Sequence, residues 1–247
     1  YDDDPQYHQV LRVGPEGSIS VFAGTASGTA GFEGDGGPAT EALLNQPHDV
    51  AIGPDGSVYI ADYYNHRVRV VDTNGVINTY AGSGESGTYK YGNHYSGDGA
   101  SATEAELNAV RALAISDAGN VYIGEYSNYC VRGVGSDGII ETIAGGVLDD
   151  GGNTYSGFFG DGGSSTEALF DSVYGLALDS SGNLYISSNN QRIRVIEAIE
   201  SFAPGDGSGN DEGSADDGQS DTVELPSGEV GPIGLDLDLA DGDQMVR

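Results

Sequence analysis

The tripeptide Gly-Asp-Gly recurs at a constant spacing, and this spacing constrains the fold more than any other feature of the sequence. It begins at Gly34, Gly97 and Gly160, which lie at intervals of 63 residues. A fixed period of this length is typical of repeated supersecondary units, each of which buries its apolar face only against a neighbouring unit. The sequence therefore predicts a repeat protein.

Within each unit the apolar residues alternate with a period of two, which predicts β-strands and not helices. Turn sequences rich in Asp and Gly separate the strands, as at residues 54–56 and 72–75. Four antiparallel strands in each unit are typical of a propeller blade. The predicted strands are 48–52, 57–61, 67–71 and 76–80, then 110–115, 121–125, 130–134 and 139–143, then 173–178, 184–188, 192–196 and 199–203.

A long Gly-rich connection, such as residues 82–109, joins the last strand of one unit to the first strand of the next. It contains the sequence ATEAEL at 102–107, which has the pattern of a short helix capped by Thr103. Equivalent segments begin at Thr40 and Thr166. We therefore expect a short capped helix ahead of each unit's first strand.

Several spaced motifs occur together and resemble the NHL repeat. They are GDGGPATEALLNQP at 34–47, VYIAD at 58–62, NHRVRV at 65–70 and NTYAG at 78–82. The GDGGPAT insertion is similar to a variant of this repeat seen in bacterial and extracellular proteins. The resemblance covers at least residues 7–203 and implies an all-β fold, a β-propeller of about four four-stranded blades. Propellers of this family typically serve in scaffolding and binding, and occasionally as enzymes.

The two ends of the chain have the patterns of complementary half-blades. Residues 7–13 align with the third strand of a unit, whereas 232–246 parallel the first two strands at 173–186. We therefore expect one blade to be split between the termini of a single domain, although a disordered acidic tail is an open alternative. The expected division is 1–24 for the second half of the split blade, 25–82, 83–145 and 146–203 for blades 1 to 3, 204–231 for an acidic Gly-rich insertion, and 232–247 for the first half.

A split blade would expose unpaired strand edges, which favour pairing with another strand. Closure within one chain and head-to-tail closure between chains into a ring or filament are both compatible with the sequence. The protein itself is thus the first predicted partner, with other extracellular proteins or glycans as further candidates.

The strongly acidic composition excludes some partners. A net charge of −30, from 9 Lys and Arg against 39 Asp and Glu, would repel nucleic acid and anionic membrane surfaces. No apolar run reaches the roughly 20 residues that a membrane-spanning helix needs, so no membrane insertion is expected. An acidic, lysine-poor, Gly-rich and Ser-rich chain favours an extracellular or cell-surface location. The single cysteine, Cys130, forms no intrachain disulfide and is expected to be a small buried thiol.

The aspartates of the repeated tripeptide, Asp35, Asp98 and Asp161, are candidate calcium ligands. A hard cation prefers carboxylate and carbonyl oxygens on a chain that turns sharply, and the adjacent glycines permit such turns. The alternative is that each aspartate caps backbone amides before the short helix. Calcium is the one cofactor that the sequence predicts, and no catalytic residues or other cofactor-binding residues are expected.

Two further sets of residues recur at equivalent positions. The third strands carry arginines, and Asp62 and Glu125 are candidate ion-pair partners for them in a structural role. The first strands carry His48, Arg111 and Tyr174, which would line a ligand site at the central channel. The repeated arginines are Arg12, Arg69, Arg132 and Arg194.

Taken together, the sequence predicts a non-enzymatic extracellular structural or interaction module that associates with itself through the split blade and is stabilised by calcium. A ligand-binding sensor propeller is the first alternative. A calcium-dependent hydrolase of the lactonase type is the second.

Overall fold

The structure is a computed structural model, and it describes residues 8–85, 96–147 and 154–199. These residues form antiparallel sheets and short 3-10 helices. The first sheet contains β1 (Val10–Val13) and β2 (Ile19–Ala23). The second contains β3 (Gly37–Pro38), β4 (Pro47–Ile52), β5 (Val58–Asp62), β6 (Arg67–Val71) and β7 (Val76–Ala81).

The third sheet repeats the second, and the fourth repeats part of it. The third contains β8 (Ala100–Ser101), β9 (Val110–Ile115), β10 (Val121–Glu125), β11 (Cys130–Val134) and β12 (Ile139–Gly145). The fourth contains β13 (Val173–Leu178), β14 (Leu184–Ser188) and β15 (Arg192–Ile196). The 3-10 helices are Ala39–Glu41, Tyr63–Asn65, Ala102–Glu104 and Ser165–Glu167.

Each full sheet is an up-and-down meander with one extra outer strand. The strand order is β3-β7-β6-β5-β4 in the second sheet and β8-β12-β11-β10-β9 in the third. The extra strands β3 and β8 come from the Gly-Asp-Gly insertions, which hydrogen-bond to the outermost strand of the same blade. The insertion therefore closes the outer edge of the blade, a pairing that the two-residue strands are too short to reveal in the sequence.

The apolar core lies between successive sheets. Ala61 and Val68 of the second sheet pack with Val110 and Ile123 of the third, and the third sheet packs in the same way against the fourth. Every residue of β10 and β11 is buried, because the third sheet has a neighbour on both sides. In β15 no residue is buried.

The predicted strands agree with the structure to within two residues at each end over 48–196, since the period-two pattern and the turns fix them. One strand prediction, 199–203, is only partly testable: Ile199 lies outside any strand, and 200–203 lie outside the described residues. The predicted threonine cap is wrong. Thr103 lies inside the 3-10 helix, whose N-cap is Ser101 and makes no capping bond through its side chain. The expected half-blade at 232–247 also lies outside the described residues.

Candidate functional site

The first glycine of each Gly-Asp-Gly turn is packed against the short helix that follows. Gly34 has a φ of +95°, and a Cβ added to it would lie 2.7 Å from the Cα of Ala42. Gly97 meets Ala105, and Gly160 meets Ala168, at 2.8 Å. Only glycine fits a backbone contact this close in the left-handed region. The turn is thereby held in one position, with its aspartate directed towards the third strand of the blade.

Each aspartate of these turns forms an ion pair with the repeated arginine. Asp35 lies 2.5 Å from Arg69, and Asp161 lies 2.7 Å from Arg194. The equivalent pair in the third sheet joins Asp98 to Arg132. Asp35 also accepts a hydrogen bond of 2.7 Å from the hydroxyl of Thr79. Because the charge-assisted pair links the inserted turn to the middle of the sheet, it fastens the insertion to its blade.

A second carboxylate, at the end of the second strand, contacts the same arginine in two of the blades. Asp62 and Glu125 each lie 3.5 Å from the guanidinium, and all four side chains are fully buried. Both carboxylates also accept a backbone N–H bond of 2.7 Å, from Asn45 and Asn108 respectively. These bonds tie the second strand to the chain entering the first strand. The predicted structural partnership is therefore observed for Arg69 and Arg132.

The fourth sheet lacks the buried carboxylate. Ser188 occupies the position of Asp62 and Glu125, and its hydroxyl donates to the side chain of Asn190 at 2.7 Å. Arg194 donates to the carbonyl oxygens of Leu169 and Phe159 at 2.9 and 3.1 Å, which are the counterparts of the bonds from Arg69 to Leu43 and Glu33 at 3.3 and 3.4 Å. The chain thus contains the same arginine with and without a buried acidic partner.

Burial changes the acid strength of these groups. Desolvation raises the pKa of Asp62 to about 6, although hydrogen bonds from Asn65 and Asn45 and the charge of Arg69 act against the rise. Desolvation likewise raises the pKa of Glu125 and that of the Cys130 thiol. The thiol donates to Glu125 at 3.6 Å and is buried, as the sequence predicted.

Histidines at the start of the third strand join successive blades. The Nδ1 atom of His8 accepts the N–H of Gln46 at 3.1 Å, and that of His66 accepts the N–H of Ala109 at 3.0 Å. Both donors have positive φ, at 50° and 55°. An imidazole that accepts at Nδ1 carries no proton on that nitrogen, so each histidine joins one blade to the next through a backbone N–H.

An aromatic cluster forms at the beginning of the first long strand of each blade, which we call the inner strand. It joins the three predicted channel residues, His48, Arg111 and Tyr174, which hold the same position in β4, β9 and β13. Tyr63 lies 4.3 Å from the His48 ring, and Tyr126 lies 5.5 Å from the Tyr174 ring, measured between centroids. The Arg111 guanidinium lies 4.1 Å from the Tyr174 centroid and 5.3 Å from that of Tyr126. We call these five residues the rim cluster.

Sequence reasoning missed Tyr63 and Tyr126. They follow directly after the second strands of their blades and lie 63 residues apart, so the period that located the other three residues also marks these two. The signal was available, because a residue that follows the second strand returns to the same end of the sheet as the start of the first strand.

The first sheet leaves apolar residues uncovered. In the described part of the chain, β1 pairs with β2 and with no other strand. Leu11 and Val13 of β1 have exposed fractions of 55% and 68%. Beside them lies an open groove between β1 and β4, lined by Gln9, Val10, Pro47, His48, Asp49 and Val50.

The described residues hold no group of three or more His, Cys, Asp or Glu side chains arranged to bind a metal ion. The turn aspartates stay partly accessible, with side-chain exposures of 37%, 38% and 59% for Asp35, Asp98 and Asp161. Their hydrogen bonds go to side chains and not to the short helix. Calcium binding by these residues stays a prediction.

Successive antiparallel meanders, packed face to face with the first strands β4, β9 and β13 side by side, define the chain as a β-propeller protein. Its second sheet contains an NHL repeat, as the spaced motifs indicated. The NHL repeat family model matches residues 44–71, which span most of the second sheet.

Relatives of known sequence match parts of the chain. Teneurin-m of Drosophila melanogaster is 34% identical over 139 residues, which are 51% of this chain and 5% of that protein. Teneurin-1 of Mus musculus is 32% identical over 80 residues, or 29% of this chain and 3% of that protein. The chain therefore spans only a small fraction of the length of these relatives.

Two solved structures share the fold. A protein of unknown function from Bacteroides thetaiotaomicron superposes with a TM-score of 0.55 at 19% identity, covering 76% of this chain and 42% of that one. An auxiliary nutrient binding protein from the same organism gives a TM-score of 0.50 with the same identity and coverage. At this identity the likeness establishes the fold alone. No helix among the described residues combines the length and apolar character needed to cross a membrane.

Proposed function

We propose that the chain is a non-enzymatic structural and interaction module that acts outside the cell and associates with a second copy of itself through the β1 edge. The supporting observation is the two-stranded first sheet with its exposed Leu11 and Val13. Unpaired strand edges carrying apolar side chains are templates for pairing with another strand. The groove between β1 and β4 gives an added strand a place to lie.

The acidic and arginine side chains that recur in the repeats support a non-enzymatic role. Arg69, Arg132 and Arg194 are held in ion pairs with the turn aspartates, and the buried carboxylates accept bonds from backbone amides. These side chains stabilise the blades and are spread over separate sheets. The composition supports an extracellular location, because a charge of −30 keeps a protein soluble in a medium rich in cations.

Sedimentation velocity over a range of protein concentrations tests the self-association, and electron microscopy of the same samples shows whether the product is a ring or a filament. Replacing both Leu11 and Val13 by Lys is expected to leave a monomer at every concentration, because charged edges repel further strands. The control is Phe159→Lys, which places a charge at a loop residue with 70% exposure. A wild-type protein that stays monomeric throughout would contradict the proposal.

Calcium is the proposed stabilising ion, with the partly exposed side chains of Asp35, Asp98 and Asp161 as its proposed ligands. The lactonase-type alternative predicts calcium-dependent turnover, so a panel of lactones assayed with and without a chelator separates the two functions. The sensor alternative is favoured by the rim cluster, which assembles aromatic rings around a cation at one end of the inner strands.

A further inference from the structure

The rim cluster contains a cation whose charge has no acidic partner in the described part of the chain. The salt bridges there belong to Arg69, Arg132 and Arg194, and none involves Arg111. Arg111 contacts the rings of Tyr126 and Tyr174 instead. Arg67 likewise has no carboxylate within ion-pair distance among the described residues, but its guanidinium donates to the carbonyl oxygens of Gly82 and Ser83. The position of Arg111 therefore calls for an explanation other than an internal ion pair.

The Arg111 guanidinium makes no hydrogen bond to the described residues, so its N–H donors are available. A cation–π contact uses the face of the planar group, whereas its N–H donors point outwards in the plane and match a carboxylate with two parallel bonds. His48 does not compete for an anion as a second cation, because burial and the nearby charge of Arg111 lower its pKa. Arg111 is thus the residue of the rim cluster that can hold a negative group.

The surrounding rings provide a partly exposed aromatic surface. Tyr174 is 38% exposed, and Tyr64, which lies 4.8 Å from Tyr63 between centroids, is 46% exposed. Tyrosine offers an apolar face together with a hydroxyl that can hydrogen-bond. Such an open surface suits a ligand whose ring has one apolar face and several polar groups. It suits a fully apolar ligand less well, because such a ligand needs an enclosed pocket.

We propose that the rim cluster binds a carboxylate-bearing sugar unit, with Arg111 holding the carboxylate and Tyr174 stacking against the sugar ring. The ligand class is a hexuronic acid, free or within an acidic glycan. Arg111 and Tyr174, which hold the ligand, lie on β9 and β13 and do not line the groove beside β1, so their role can be tested whether or not the protein forms oligomers.

Titration with sodium glucuronate, followed by saturation-transfer NMR and tyrosine fluorescence, tests the proposal. For a single carboxylate and one stacked ring we expect a Kd on the order of 1 mM. Arg111→Gln should weaken binding at least about tenfold, because it removes both charge-assisted hydrogen bonds. The affinity of Arg111→Lys should lie between those of the wild-type protein and Arg111→Gln, since lysine keeps the charge but cannot form the two parallel hydrogen bonds.

Three controls make the result interpretable. Arg12→Gln changes the net charge by the same amount at an exposed residue of β1 and should leave binding unchanged. Glucose supplies the sugar ring without the charge, and benzoate supplies the charge without the sugar. Circular dichroism confirms that each variant is folded.

Binding of glucose as tight as that of glucuronate would overturn the role given to Arg111. Binding of benzoate in the absence of glucuronate binding would overturn the sugar class. Unchanged glucuronate affinity in a folded Arg111→Gln protein would overturn the site itself. The double Lys variant of Leu11 and Val13 should bind glucuronate normally, which separates a failure of this proposal from a failure of self-association.

Discussion

Removing Arg132 should destabilise the protein far more than removing Arg194, although the two occupy the same position in successive blades. Glu125 is completely buried beside Arg132, and without the arginine its charge would have no counter-charge in the core. Breaking a buried ion pair in this way costs about 3–5 kcal/mol. Methionine is the suitable replacement, because it retains much of the apolar stem and so isolates the loss of charge.

The matched variant Arg194→Met should lose less unfolding free energy. Its acidic partner Asp161 is 59% exposed, so that carboxylate returns to water when the arginine is removed. Ser188 stands where a buried acid would lie, and no charge is left uncompensated there. An exposed ion pair contributes at most about 1 kcal/mol. The two variants should therefore differ in unfolding free energy by about 2–4 kcal/mol.

Urea denaturation followed by circular dichroism measures this difference, and Cys130 provides a local probe. It is the single cysteine of the chain and is buried beside Glu125, so a thiol reagent reports opening of the third sheet. A loss of 3–5 kcal/mol should accelerate labelling by at least about 100-fold. The double variant Arg132→Met with Glu125→Gln should recover most of the stability. Equal destabilisation by Arg132→Met and Arg194→Met would refute the reasoning.

Three further outcomes are expected. Gly34→Ala should lower the unfolding free energy by more than Gly36→Ala. Both glycines have positive φ, but only at Gly34 would a Cβ meet the Ala42 backbone. Equal losses of unfolding free energy in urea denaturation would contradict this. The pKa of Asp62 is about 6 in the folded protein, against an ordinary value of 3.8, so charging this carboxyl costs about 3 kcal/mol more in the folded state. The free energy of unfolding should therefore rise as the pH falls from 7 to 4. Asp62→Asn should remove that part of the pH dependence of the melting temperature. If calcium occupies the Gly-Asp-Gly turns, a chelator should lower the melting temperature and calcium, but not magnesium, should restore it; unchanged melting would leave the aspartates as partners of the arginines alone.

The strands could be predicted from the sequence because their signal is local and repeated. Each unit shows alternation in segments such as Val58–Asp62 and has glycines in the turns between strands. A strand predicted in one unit can therefore be checked against the same position in the others. The pairing of β3 with β7 could not be predicted. It is made by two residues, Gly37 and Pro38, which have no strand pattern of their own and acquire it from the neighbouring edge.

The candidate site was predicted in part for a similar reason. The sequence identified Asp35, Asp98 and Asp161 as recurring acids, but a recurring acid has the same pattern whether it binds a cation, caps a turn or pairs with an arginine. The choice depends on what lies opposite in space, and Arg69 is 34 residues away from Asp35. Asp62 and Glu125, close in sequence to their arginines, could be assigned correctly.

The departures from the repeat concentrate in the fourth sheet, and this indicates where the fold opens first. Asp62 and Glu125 are replaced there by Ser188, and β15 contains no buried residue. In repeat architectures stability is a sum of unit and neighbour-interface terms, and among the described residues the fourth sheet packs against a neighbouring sheet on one side alone, so we expect it to be the weakest unit. The third sheet, which packs against a neighbour on both sides, is the strongest by the same reasoning. Hydrogen exchange should therefore be fastest in β14 and β15 and slowest in β10 and β11, and uniform exchange across the sheets would show that the blades unfold as one unit.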